Sequence, residues 1–200
     1  VLSESLTLVN TPPGGGQVEV DYLALYETDV LTCAAEDAED ADGDAITWSY
    51  GWTVNGDALE AVTTKTLDGA YFNKGDEVAC SATPADEDAV GQMVPSANQV
   101  TILNTPPTLV SVTVQPGETN RLGQFACNYS GWSDPDTEDT EPQVRYQWHT
   151  QSDSGVLSAV EGATAETLSA GDFEPGTELI CEVIPYDSTE DGEALTSNPA

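Results

Sequence analysis

Positive charge is almost absent from this chain. Four Lys and Arg face 36 Asp and Glu over 200 residues, a formal charge of −32, with a pI near 4.1. Nucleic acid is not an expected partner, because binding it needs basic patches that neutralise phosphates. Anionic membrane surfaces are disfavoured for the same reason. Divalent cations, basic partners or a very salty medium fit better. Long apolar runs are missing too: none approaches the roughly 18 residues of a membrane helix, so no membrane insertion is expected. CxxC pairs are absent, which leaves a four-cysteine zinc site without its usual ligand spacing. No signal peptide and no initiating Met are present, so the chain reads as processed or excised. High charge can signal disorder. Here 38% hydrophobic content, four Trp and seven Tyr in alternating runs predict packed β structure instead.

What is present is a repeat. "NTPP" occurs at Asn10–Pro13 and Asn104–Pro107, an offset of 94, and Cys33 matches Cys127 at the same offset. Trp52 matches Trp148 at offset 96. Thr66-Leu67, Cys80, Pro84 and Asp86 match Thr167-Leu168, Cys181, Pro185 and Asp187 at offset 101. The growing offset places two insertions in the second copy, one on each side of Trp148. Matches in one unbroken order define a tandem repeat.

Each copy reads Cys…Trp…Cys among short alternating runs, which in the first are "QVEV", "VLTC", "ITWSYGWTV", "EVACSAT" and "QVTIL". Such runs between Gly, Pro and Asp turns predict an all-β chain of two tandem immunoglobulin-like antiparallel β-sandwiches. Ile46, Trp48, Tyr50, Trp52 and Val54 share one strand face by period-two alternation. Four cysteines allow three pairings. The repeat selects Cys33–Cys80 and Cys127–Cys181, one bridge per copy, with Trp52 and Trp148 packed against them. Each bridge closes a loop near 50 residues and adds on the order of 4 kcal/mol. Disulfides imply an oxidising compartment, so the expected location is extracellular or cell-surface.

The residues Cys33, "DADGDAITWSYGW", "NKGDEVACSATPAD" and "NQVTILNTPP" resemble the immunoglobulin-like, cadherin-like tandem repeats of large bacterial or archaeal surface and secreted proteins. The resemblance covers essentially the whole chain and implies fold more than function. Two departures from antibody-type domains stand out. Val78 and Leu179 replace the tyrosine two residues before the second Cys, and the Cys-to-Trp interval is long, 19 residues in one copy and 21 in the other.

That extra length holds acidic residues. Aligned on their first cysteines, Asp40, Asp42 and Asp44 fall on Asp134, Asp136 and Glu138. Alternate carboxylates on a tight turn suit Ca2+, which takes 6–8 hard oxygen ligands. In this sandwich the loops that follow the two cysteine-bearing strands lie at one end, so Asp86 and Asp187, six residues after the second cysteine of each copy, can join them. The expected metal ligands are therefore Asp40, Asp42, Asp44 and Asp86 in one copy, and Asp134, Asp136, Glu138 and Asp187 in the other. A solvated acidic turn is the competing reading. If an ion binds, it is expected to stiffen the joint at the "TPP" linker, which favours extended backbone.

Residues 1–9 read as the last strand of a preceding repeat or as a donor strand, 10–103 as the first domain and 104–200 as the second, without its own final strand. Leu6, Leu8 and Val9 fall on Val100, Ile102 and Leu103. They would complete the open edge of the second domain of another subunit and build a filament. The expected partners are therefore neighbouring repeats or identical subunits, head to tail. No enzyme is expected: the lone His149 lies beside Trp148 on the opposite strand face, predicted exposed, and no nucleophile motif accompanies it. The sequon Asn128-Tyr129-Ser130 falls inside a predicted strand. The functional expectation is an extracellular stalk, fibre or adhesin spacer. A ligand-binding adhesin module, gripping carbohydrate or protein through exposed loops, is the alternative.

Overall fold

Alternating burial along the strands sorts the chain into sheets. The computed structural model describes residues 7–22 and 25–199, and the chain divides into two compact units, Val1–Leu103 and Asn104–Ala200. The first unit contains β1 (Gly14–Asp21), β2 (Val30–Glu39), β3 (Thr47–Val54), β4 (Asp57–Ala58), β5 (Thr66–Asp68), β6 (Glu77–Ala85), β7 (Val94–Pro95) and β8 (Val100–Thr101). One sheet has the order β1-β2-β5. The other runs β4-β3-β6-β7, with β8 also on β6.

The second unit repeats the plan with β9 (Ser111–Gln115), β10 (Gln124–Ser130), β11 (Val144–Gln151), β12 (Leu157–Ala159), β13 (Thr167–Ser169), β14 (Glu178–Pro185) and β15 (Leu195–Thr196). Its sheets are β13-β10-β9 and β12-β11-β14-β15. All ladders between these strands are antiparallel. Three strands facing four, or five in the first unit where β8 joins β6, make each unit an antiparallel sandwich of the immunoglobulin-like kind.

The recurring Cys and Trp positions have a common cause. Trp52 lies directly across the ladder from Cys80, and Trp148 from Cys181. Inward-facing partners in an antiparallel pair pack together. Each indole therefore sits beside its own disulfide, Cys33–Cys80 or Cys127–Cys181, in its own hydrophobic core. Each indole Nε1–H also donates to a backbone carbonyl, of Thr64 or of Ala165, at 2.9 Å. A buried Trp needs such a partner.

Leu6 of the expected donor segment lies outside the described residues. Leu8 and Val9 belong to no strand and are exposed. No helix among the described residues is long and apolar enough to cross a membrane.

Candidate metal centre

The two strands that carry the disulfides, β2 and β6 in the first unit and β10 and β14 in the second, run into the acidic loops. In the first unit Asp40 Oδ1 accepts the backbone N–H groups of Asp42 (2.9 Å) and Asp44 (3.1 Å). This local side-chain-to-backbone bonding folds the turn. Asp86 Oδ1 does the same for Asp88 and Ala89 at 2.7 and 2.6 Å. The outer oxygens reach the "NTPP" segment. Asp42 Oδ2 accepts Thr11 N–H at 2.7 Å and Asp86 Oδ2 accepts Asn10 Nδ2–H at 3.0 Å.

The second unit reproduces this latch. Asp134 Oδ1 accepts Asp136 N–H at 2.9 Å. Asp136 Oδ2 accepts Thr105 N–H at 2.9 Å, and Asp187 Oδ2 accepts Asn104 Nδ2–H at 3.0 Å. Asp187 Oδ1 takes the N–H groups of Thr189 and Glu190. The last proline of each "NTPP" is approached closely as well. A Cβ on Gly91 would lie 2.0 Å from Pro13 O, and one on Gly192 would lie 1.8 Å from Pro107 O, so only glycine lets these backbones approach.

One cluster goes further. Asp134, Asp139 and Asp187 each present a carboxylate oxygen within 4.8 Å of the others. Two ligands about 2.4 Å from a shared Ca2+ are separated by at most that distance. Asp134 Oδ2 is buried without a hydrogen-bond partner, and so is the nearby loop's Thr105 Oγ1. Burial, and then the carboxylates of Asp136, Asp139 and Asp187, push Asp134 above the usual carboxylate range, against an opposing hydrogen bond from Asp136. In the first unit Asp44 is exposed, yet partial desolvation and then Asp40, Asp86, Asp42 and Asp88 push it up as well. Hydrogen bonding from Asn10, with help from Asp88 and Ala89, holds Asp86 down.

The structure thus brings Asp134 and Asp187 together and turns one oxygen of Asp136 to Thr105. Glu138 is exposed, and its neighbour Asp139 takes the place beside Asp134. Asp40, Asp42, Asp44 and Asp86 surround one turn but form no comparable set among the described residues. Asn10, Thr11, Asn104 and Thr105 join the latch although the sequence analysis assigns them no ligand or latch role. The signal was available: "NT" and the first acidic turn share the offset of 94.

His149 corrects an expectation. It is largely covered, and its Nε2 lies 2.6 Å from Glu182 Oε2. Gln147 faces Glu182 across the ladder and His149 faces Ile180, so His149 and Glu182 are diagonal neighbours on one face. Asn128 is exposed, and its Nδ2 donates to Ala126 O at 3.3 Å.

No family model matches the chain, and no curated protein matches it. Among solved structures it is similar to the FN1–FN3 domains of chicken CNTN1, with 11% identity and a TM-score of 0.35, covering 94% of this chain and 66% of that one. It is also similar to a segment of two fibronectin type III domains from chicken tenascin, with 10% identity and a TM-score of 0.37, covering 93% and 97%. A third is the chicken interferon gamma receptor alpha chain, with 10% identity and a TM-score of 0.36, covering 96% and 97%.

Proposed function

We propose that this chain is an extracellular structural repeat module, a stalk, fibre or adhesin spacer, whose second unit binds Ca2+ through Asp134, Asp139 and Asp187. The observation that carries the ion is the convergence of three carboxylates on a turn where Asp134 Oδ2 is buried without a hydrogen-bond partner. Like charges held this close repel, and a cation between them removes that repulsion. Main-chain carbonyls and water would supply the remaining ligands that Ca2+ requires. The same loops grip Asn104 and Thr105, so the ion would stiffen the segment that leads into the unit. Two disulfides support an oxidising compartment. The adhesin alternative gains little from the surface: among the described residues the exposed large apolar side chains include two tyrosines and neither Trp nor Phe.

Calorimetric titration with CaCl2 tests the reading. One site is expected in the native chain, and none in Asp139→Asn. Equal binding by both proteins sinks it.

A further inference from the structure

The two units differ at the end of the core where β8 lies in the first. In the first, Ile102 is 1% exposed and closes the core beside Phe72, at 2%. Its backbone is held from both sides: Gly75 N–H donates to Ile102 O at 2.8 Å, and Ile102 N–H donates to Asp76 O at 2.9 Å. Leu103 N–H then donates to Leu25 O at 2.6 Å. Just before them, β8 pairs with the start of β6, Val100 opposite Val78 and Thr101 opposite Glu77.

The offset of 101 carries Gly75, Asp76, Glu77 and Val78 onto Gly176, Thr177, Glu178 and Leu179. The local structure agrees. Gly75 and Gly176 share positive φ, 83° and 90°, and Asp76 N→Asn73 O recurs as Thr177 N→Glu174 O. No strand pairs with Glu178–Leu179 on the side where β8 lies in the first unit, among the described residues. A cavity of about 420 Å³ opens there instead, lined by Thr119, Phe125, Phe173, Gly176 and Leu179 among others. Phe173, the counterpart of buried Phe72, is partly exposed. The chain also carries a segment that matches the missing cover. Leu6-Thr7-Leu8-Val9-Asn10 repeats Val100-Thr101-Ile102-Leu103-Asn104 at offset 94, yet Leu8 is 99% and Val9 79% exposed.

We infer that the cavity beside Phe173 is a β-strand acceptor, and that its occupant is the Leu6–Val9 segment of a second copy of this chain. Leu8 takes the position of Ile102, with its carbonyl on Gly176 N–H and its N–H on Thr177 O. Thr7 and Leu6 pair with Glu178 and Leu179, and Val9 N–H meets Thr119 O. Main-chain bonds supply affinity in strand addition, and the pocketed side chain supplies register. Because donor and acceptor are different surfaces, the contact is head to tail and does not close on itself.

Analytical ultracentrifugation of the 200-residue chain, across two decades of concentration and with salt to screen its charge, is the test. Assemblies that lengthen with concentration are expected. Leu8→Asp should leave monomers with both units still folded, since Leu8 touches nothing it would unfold. An excess of the peptide SESLTLVNTPP should cap the assemblies. Placing Asp at its Leu8 position should weaken capping roughly tenfold or more, the value of one buried Leu. A chain that stays monomeric, Leu8→Asp assemblies equal to the native ones, or assemblies indifferent to the peptide would each overturn the inference. So would a peptide that binds a chain which never assembles. Chelator leaves the expected result unchanged, so loss of the Ca2+ reading and loss of this one are told apart.

Discussion

The two units build the same latch but cover it differently. In the first, Thr11, Pro12, Asp42 and Asp44 are exposed, while Asp40 and Asp86 are half-buried and Asp40 Oδ2 is buried without a hydrogen-bond partner. In the second, Asp136 is 1% and Asp187 4% exposed, with Thr105 and Pro106 half-buried. The stretch from Cys127 to Trp148 is also longer, 21 residues against 19 from Cys33 to Trp52, and it holds a half-buried Trp132. An exposed carboxylate is satisfied by solvent. A covered one needs a proton, a donor or a cation. The convergence of three carboxylate oxygens, more than acid count, is what separates the second turn from the first.

The largest expected effect concerns what the units share. Trp52→Ala and Trp148→Ala should each cost about 3–5 kcal/mol, and calorimetry should show each change lowering one unit's transition. Next, Asn104→Ala removes a donor from nearly buried Asp187 and should cost about 2 kcal/mol. Asn10→Ala should cost less, because Asp86 is only half-buried; denaturant midpoints compare the two, and equal losses would break the contrast. Smaller again is the ion response. Ca2+ should raise the melting temperature of the native chain and of Asp44→Asn, but not of Asp139→Asn, in thermal scans against chelator.

The smallest effect is a pH slope. The folded pKa of Asp86 is lowered, mainly by Asn10. Its contribution to stability is therefore present above the unfolded carboxylate value, near 3.9, and is lost as pH falls through the lower folded value. Asp134 is raised. In chelator its contribution has the opposite sign, present below the unfolded value and lost as pH rises through the folded one. Melting curves of Asp86→Asn and Asp134→Asn, each subtracted from the native curve, should slope in opposite directions.

The fold was legible because repeated Cys and Trp sit at offsets that only one bridge pattern satisfies, and because a Trp across from a Cys needs no long-range knowledge. Strands of two or three residues, such as β4 and β12, have no readable period. Alignment on cysteines pairs Glu138 with Asp44, whereas the carboxylate near Asp134 and Asp187 is that of Asp139; the second copy is two residues longer between Cys127 and Trp148, so one-to-one alignment of this loop is not secure in the sequence. Face alternation predicts an exposed His149 because it ignores the diagonal partner Glu182. The latch was hidden for a different reason: a side chain that bonds a distant backbone N–H leaves no periodic trace, only a repeated dipeptide.

The latch also determines where one repeat ends and the next begins as heritable units. Asn104 and Thr105 are bound by loops that lie up to 83 residues further along the chain. A gene segment copied from Asn104 carries both halves of that fastening. One copied from Thr108 leaves Asp136 and Asp187 without the donors of Thr105 and Asn104. Duplication that respects the first boundary yields a self-sufficient cassette, so the prolines belong to the repeat they precede.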